Sequence, residues 1–124
     1  MSEQKSDFTY KIDGAPDYAF LTVTIPQGRK LKVEASSMAY MDPSLKTKAK
    51  LGGGFKRFLS GENIFISDFE AQAQDADIGI APATPGTIGH VYLEGETVYL
   101  QNSAYLCSHP EIAVDAQFQG LKGF

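Results

Sequence analysis

Apolar and polar residues alternate along much of this chain, and a period of two predicts β-strands rather than helices. Successive side chains of a strand point to opposite faces, so a half-buried strand alternates in this way. Residues 8–12 and 31–35 alternate, and residues 18–25 are rich in β-branched and aromatic side chains. The predicted strands cover residues 8–12, 18–25, 31–35, 38–41, 46–50, 64–69, 78–80, 91–93, 98–100, 105–107 and 112–114.

Glycine and proline separate these short strands. The turn Pro26-Gln27-Gly28 predicts a hairpin between residues 18–25 and 31–35, and Glu94-Gly95-Glu96 predicts another between residues 91–93 and 98–100. A single helical turn is predicted at residues 55–59, where apolar residues have i, i+3, i+4 spacing. About ten strands and one helical turn predict an all-β fold, a sandwich or a barrel.

Part of the first half of the chain recurs near its end, at an offset of about 66 residues. The matched sets are Gly28, Leu31 and Val33 with Gly95, Val98 and Leu100; Ala39-Tyr40 with Ala104-Tyr105; and Gly54, Lys56 and Phe58 with Gly120, Lys122 and Phe124. We therefore expect a flexible tail at 1–7 and one β domain at 8–124. Its first repeat would cover 8–86, and an incomplete second repeat would cover 87–124.

The incomplete second repeat predicts a sheet with an unpaired edge, and such edges favour association. Two explanations stay open. Either the sequence is a fragment of a longer protein, which we favour, or another chain supplies the missing strand.

Composition narrows the class of protein. The 124 residues are 43% hydrophobic, enough for one core, and the net charge of -4 gives no general attraction to nucleic acid or anionic lipid. No apolar run approaches the roughly 20 residues that span a bilayer. The polar N-terminus lacks the apolar stretch of a secretory signal, and the single cysteine, Cys107, fits a reducing compartment. We predict a cytoplasmic protein.

One stretch of the chain is basic, although the net charge of the whole chain is negative. Five of the eleven positive charges lie within twelve positions, at Lys46, Lys48, Lys50, Lys56 and Arg57. This basic stripe could bind RNA, phospholipid head groups or another anionic partner. The alternative, which we favour, is a solvated face whose lysines also prevent edge-to-edge pairing of sheets. Nucleic acid is the less favoured partner, and a membrane surface stays open.

No catalytic or metal-binding pattern stands out. Gly52-Gly53-Gly54 precedes Lys56 but lacks the spacing and the long helix of a phosphate-binding loop. The two histidines, His90 and His109, do not form a His-x-His pair, so we predict no metal and no cofactor. Cys107 lies in a predicted apolar strand, which favours the role of a small buried hydrophobic residue. His109 lies two residues away, so a catalytic pair of Cys107 as nucleophile and His109 as base stays formally open. We predict a protein that is not an enzyme.

Several separate blocks of the chain resemble a known family. They are GxxLKVEASSMAYMD, GGGFKRFLSGENIF, the Ala-Pro-x-x-Pro-Gly of residues 81–86, and NSAYLCS followed by FQGLKGF. They are similar to the bacterial and archaeal proteins related to the mitochondrial "altered inheritance of mitochondria" protein. The resemblance implies a β-sandwich of the double-stranded β-helix kind, with internal repeats, in the tryptophan RNA-binding attenuator-like superfamily.

The resemblance also bears on function. It implies no enzyme activity and an assembly role, since the mitochondrial members are associated with inner-membrane organisation. Family members run on beyond the second GLKGF block. Residues of the family signature, which we interpret as structural, are Gly52, Gly53, Gly54, Ser60, Gly61 and Glu62.

Three functions follow as hypotheses. The first is a non-enzymatic, homo-oligomeric scaffold or protein-interaction domain. The second is binding of an anionic ligand, RNA or phospholipid, through the basic stripe from Lys46 to Arg57. The third is binding of a small molecule inside the sandwich.

Overall fold

The computed structural model describes residues 8–49 and 65–114, and nearly all regular structure in these ranges is β. The eight strands are β1 (Thr9–Asp13), β2 (Phe20–Ile25), β3 (Lys30–Glu34), β4 (Met38–Met41), β5 (Leu45–Ala49), β6 (Ile66–Ala71), β7 (Ala76–Ile80) and β8 (Cys107–Ser108). Two short 3-10 turns, Ala35–Ser37 and Asn102–Ala104, are the helical elements of the described ranges. The all-β prediction is confirmed.

The strands form two antiparallel sheets of four. The first sheet has the order β1-β2-β7-β4, and the second has the order β5-β6-β3-β8. Alternation along each strand gives one apolar face, and the two apolar faces bury each other, so the architecture is sandwich-like. The core residues are Phe8, Leu21, Val23, Ile25, Leu31, Val33, Leu45, Phe69, Ala71, Ala76, Ile78 and Ile80.

The predicted hairpin between β2 and β3 is wrong, because the two strands belong to different sheets. β2 pairs with β7, whereas β3 pairs with β6. The turn at Gly28 carries the chain across the sandwich and docks on the end of β6. The Gly28 N–H donates to the Ala71 carbonyl at 2.6 Å, and the Ala71 N–H donates to the Arg29 carbonyl at 3.0 Å. The connection from β2 to β3 and the connection from β6 to β7 thus run side by side between the two sheets.

The second predicted hairpin is also wrong. Residues 91–100 and 112–114 are all described, and none of them is in a strand. The predicted strand at 105–107 is reduced to β8, which forms only two pairs with β3. Isolated hairpins are only marginally stable in water, so a strand-like pattern needs a neighbouring sheet to take up its hydrogen bonds. In the described ranges, no strand of either sheet pairs with residues 91–100.

Several predicted features lie outside the described residues. They are the tail at 1–7, the helical turn at 55–59, the end of the second repeat, and the signature residues Gly52, Gly53, Gly54, Ser60, Gly61 and Glu62. The division into repeats therefore stays a prediction. Within the described ranges, no helix is long and apolar enough to cross a membrane.

Candidate functional site

Rows of opposite charge cover the outer face of the second sheet. In one row, Glu70 of the central strand β6 is paired in register with Lys30 of β3 on one side and Lys46 of β5 on the other. Cross-strand neighbours of opposite charge attract each other across a sheet. Lys46, the first residue of the predicted stripe, therefore lies at one border of a larger charged face.

The second row of this face repeats the arrangement. Asp68 of β6 is in register with Lys32 of β3 and with the position of Lys48 on β5. Asp68 is only 6% exposed, whereas Lys46 is exposed. Lys50, Lys56 and Arg57, the remaining members of the stripe, lie outside the described residues. The face holds four lysine positions against two carboxylates, so the carboxylates compensate only part of its positive charge.

Beside this face lies a basic cleft, at the start of β3. It has a volume of about 310 Å³ and is lined by Gly28, Arg29, Lys30, Lys32, Asp68 and Pro110. Strand alternation brings Lys30 and Lys32 to the same face of β3, and the loop after β8 closes the other side. This cleft was not predicted from the sequence. The Lys-x-Lys pattern at Lys30 and Lys32 was a signal, but the contribution of Pro110 needed the tertiary structure.

Two basic side chains hold the loop after β8 against β3. Lys32 Nζ donates to the Ile112 carbonyl at 2.6 Å, and Arg29 Nη2 lies 3.2 Å from His109 Nε2. The Arg29 guanidinium also lies 5.3 Å from the centre of the Phe8 ring, a cation–π arrangement. The buried Phe8 ring meets His109 edge-on, with 5.5 Å between ring centroids. Arg29 and His109 therefore share one apolar support.

Cys107 does not have the setting of a nucleophile. It pairs with Val33 in the second sheet and packs against the core. Burial raises the pKa of its thiol to about 12, so the thiol stays protonated at neutral pH. The ring nitrogens of His109 face Arg29 and the Glu111 N–H, which does not favour the formal pairing with Cys107.

A second candidate surface is the exposed apolar segment, defined here as residues 91–100. Its exposed large hydrophobic side chains are Val91, Tyr92, Val98, Tyr99 and Leu100. His90 lies in the loop before this segment. Its Nδ1 is 2.9 Å from the Tyr10 hydroxyl, and its ring lies 4.3 Å from that of Tyr92. This contact fixes the start of the segment beside the edge strand β1.

Residues 8–49 and 65–114 contain no candidate metal-binding site. In these ranges, no group of three or more His, Cys, Asp or Glu side chains could hold a metal ion. Asp75 and Asp77, near the start of β7, have structural roles. Asp75 accepts the Gln27 N–H at 2.8 Å, and Asp77 at the start of β7 accepts the Thr24 hydroxyl at 2.7 Å.

Comparisons with known proteins place the fold and the family. No curated protein matches the chain. A crystal structure of a Streptococcus pyogenes protein is similar, with a TM-score of 0.57 and 23% identity over 71% of this chain. The chain spans 44% of the length of that relative, and the likeness shows the fold alone. A family described as mitochondrial biogenesis AIM24 matches residues 10–124. The match covers most of the sequence, so the chain belongs to the AIM24 family.

Proposed function

We propose that this chain is a non-enzymatic protein-interaction domain that self-associates through the exposed apolar segment. The observation that carries the proposal is the exposure of five large hydrophobic side chains within ten consecutive residues. Exposed apolar surface of this kind marks interaction sites in soluble proteins. Its place in the cytoplasm stays a prediction.

A second copy of the chain is the occupant that the surface favours. A standard interface buries about 800 Å² on each partner, and the five exposed side chains would form the apolar part of such a surface. Tyr10, on the neighbouring edge strand β1, is 43% exposed, and its ring lies 5.0 Å from that of His90, which also contacts Tyr92. In an isologous dimer both copies bury the same patch, so one such surface serves both partners.

Chemistry elsewhere in the described ranges supports an interaction role over catalysis. The Cys107 thiol is protonated at neutral pH, and the carboxylates Asp68 and Glu70 are flanked by lysine positions rather than arranged as an acid and base pair. These observations favour binding.

Self-association is tested by light scattering after size-exclusion chromatography over a wide range of protein concentrations. We expect a dimer that Tyr99→Ser weakens by ~tenfold or more, since buried tyrosines are frequent interface hot spots. Tyr18→Ser is the matched control, because Tyr18 is 73% exposed and Tyr99 is 77% exposed, but Tyr18 lies outside the segment. A monomer at every concentration, or equal effects of the two substitutions, would contradict the proposal.

An anionic partner at the basic stripe is the second candidate. It is favoured by the register, which aligns Lys46 and Lys48 with Lys30 and Lys32 across two carboxylates, leaving an excess of positive charge. The test is a triple reversal of Lys46, Lys48 and Lys50 to glutamate, with binding to RNA and to anionic vesicles as the readout. Unchanged binding would remove this candidate. The third hypothesis, a small molecule inside the sandwich, stays a prediction, since the basic cleft lies at the surface.

A further inference from the structure

Aromatic side chains gather on the outer face of the first sheet, the face that points away from the core. Tyr18 and Phe20 both point outward, because Ala19 between them is buried and successive side chains alternate. Tyr40 of β4 is the third member of the group. It is in register with Gly79 of β7, the strand that lies between β2 and β4. We call Tyr18, Phe20 and Tyr40 the aromatic row.

A glycine allows two rings of the aromatic row to meet across a strand. The rings of Phe20 and Tyr40 are stacked, with centroids 6.0 Å apart and planes inclined by 16°. Both rings reach over Gly79, since a Cβ added there would collide with the Tyr40 ring and would lie 2.8 Å from Cζ of Phe20. A side chain at this position would therefore push the rings apart. The sheet holds the two rings together, although Tyr40 is 47% exposed.

The surroundings of the aromatic row are acidic. Lys11 is the only basic residue in the four strands of the first sheet, and it forms an ion pair with Asp13 at 3.6 Å. Asp77 of β7 and the exposed Asp17 give this face and its rim an excess of negative charge. Asp17 directly precedes Tyr18, and both line a cleft of about 370 Å³. Negative charge here disfavours nucleic acid, whose affinity for proteins comes largely from its phosphates.

Aromatic rings beside carboxylates favour one kind of partner group. The face of an aromatic ring is negative and attracts cations. The guanidinium group of arginine is planar and weakly hydrated, so it stacks on rings and also pairs with carboxylates, whereas the ammonium group of lysine is a compact, strongly hydrated point charge. A neutral sugar also stacks on rings, but it would leave the negative charge of this face without a counterpart. Because the row runs from β2 across β7 to β4, it suits an extended peptide.

We propose that the aromatic row binds an arginine-containing peptide segment of a partner protein. One arginine stacks on the exposed ring of Tyr40, and another pairs with the carboxylate of Asp17 beside Tyr18. This surface is separate from the exposed apolar segment, which contributes no strand to the first sheet. The proposal does not depend on self-association, because a monomer presents the same face.

The six tyrosines of the chain give a direct readout. The full chain, with ¹³C-labelled tyrosine rings, is titrated with a synthetic peptide of alternating arginine and glycine and followed by NMR. We expect the ring signals of Tyr18 and Tyr40 to shift and saturate while those of Tyr99 stay in place. Signals of Tyr18 and Tyr40 that do not move would overturn the proposal.

A second peptide, in which lysine replaces every arginine, separates stacking from charge alone. It has the same charge as the arginine peptide, and it should bind at least ~threefold more weakly because ammonium groups stack less well on rings. Equal affinities of the two peptides would overturn the proposal, since attraction between an acidic protein and any basic peptide would then account for the binding.

Substitutions locate the surface. Tyr18→Ser and Tyr40→Leu should each weaken binding of the arginine peptide by ~threefold or more, because each removes the face of a ring. Leucine keeps an apolar side chain above Gly79, and circular dichroism of each variant confirms that the sheets are retained. Tyr99→Ser is the matched control, since Tyr99 is 77% exposed and lies outside the first sheet. Equal losses for Tyr18→Ser and Tyr99→Ser would overturn the proposal.

The contribution of the carboxylate and the class of ligand are tested separately. Asp17→Asn should weaken binding of the arginine peptide by ~twofold or more, whereas Glu111→Gln, which removes the same charge from an exposed position outside the first sheet, should leave it nearly unchanged. Equal effects of these two variants would contradict the assigned role of Asp17. Cellohexaose, a neutral oligosaccharide, is the probe for the alternative ligand. Saturable binding of this sugar without binding of the arginine peptide would overturn the proposal.

Discussion

Residues 28–34 and 95–101 have the same pattern but different fates. Each begins with a glycine of positive φ, 85° at Gly28 and 93° at Gly95, followed by alternating apolar residues. The first becomes β3, with Leu31 and Val33 buried. In the second, which the structure also describes, there is no strand, and Val98 and Leu100 are exposed.

Neighbouring strands account for this difference. β3 has β6 on one side and β8 on the other, so its backbone is paired along both edges for part of its length. Residues 95–101 have no such ladder among the described strands. A pattern of alternation therefore specifies which side chains can be buried, while burial itself depends on a partner surface. The comparison is also the reason to propose that a second copy covers the exposed apolar segment.

The largest expected difference between the two regions is in how much a substitution lowers the free energy of unfolding. Leu31→Ala should lower the free energy of unfolding by about 2–5 kcal/mol, because it removes a buried side chain from the core. Leu100→Ala should change it by less than about 0.5 kcal/mol in the monomer, as exposed positions do. Urea unfolding of both variants, at a concentration too low for association, measures the two values. Equal losses would show that Leu100 is buried in solution and would break the comparison.

A smaller difference is expected at the two glycines. Gly28→Ala should cost about 1–2 kcal/mol, since alanine is strained at positive φ and the Gly28 N–H is held by Ala71. Gly95→Ala should cost less than about 0.5 kcal/mol, because a segment without ladder hydrogen bonds can relax. Thermal unfolding of both variants gives the two costs. If Gly95→Ala is the more costly, residues 95–101 are held in place as firmly as β3.

The smallest effect concerns two turn carboxylates and pH. Hydrogen bonds from the Ser44 N–H and hydroxyl lower the pKa of Asp42 from its usual 3.8, and the Glu94 N–H lowers the pKa of Glu96 from 4.5. Lowered pKa values stabilise the fold above the unfolded-state values, and this contribution is lost as the pH falls through the folded-state values.

Asp42→Asn removes the titrating group and keeps an acceptor for Ser44. The stability difference between the unsubstituted chain and this variant should be constant near neutral pH and shrink below about pH 4. Glu96→Gln serves as the comparison in the exposed region. Urea midpoints from pH 2 to 7 measure both, and a difference for Asp42→Asn that persists at the lowest pH would contradict the assignment.

The candidate sites show a similar division between sequence and structure. The basic stripe was visible because its lysines are close in sequence, but the carboxylates in register with it, Asp68 and Glu70, are about twenty residues away. The basic cleft was not visible, since Arg29 and His109 are eighty residues apart. A local cluster of charged residues can be recognised in a sequence. Whether opposite charges lie beside it depends on strand register, which the tertiary structure sets.

The sequence by itself determined the class of fold and most of the strands. Alternation, β-branched residues and turn residues are local properties, and β4, β5 and β7 lie where these properties predict them. Only the tertiary structure decided that β2 and β3 separate into different sheets and that residues 91–100 stay outside both. The physical reason is that strand hydrogen bonds are made with another part of the chain. The residues of a strand determine its propensity to pair, but they do not specify its partner.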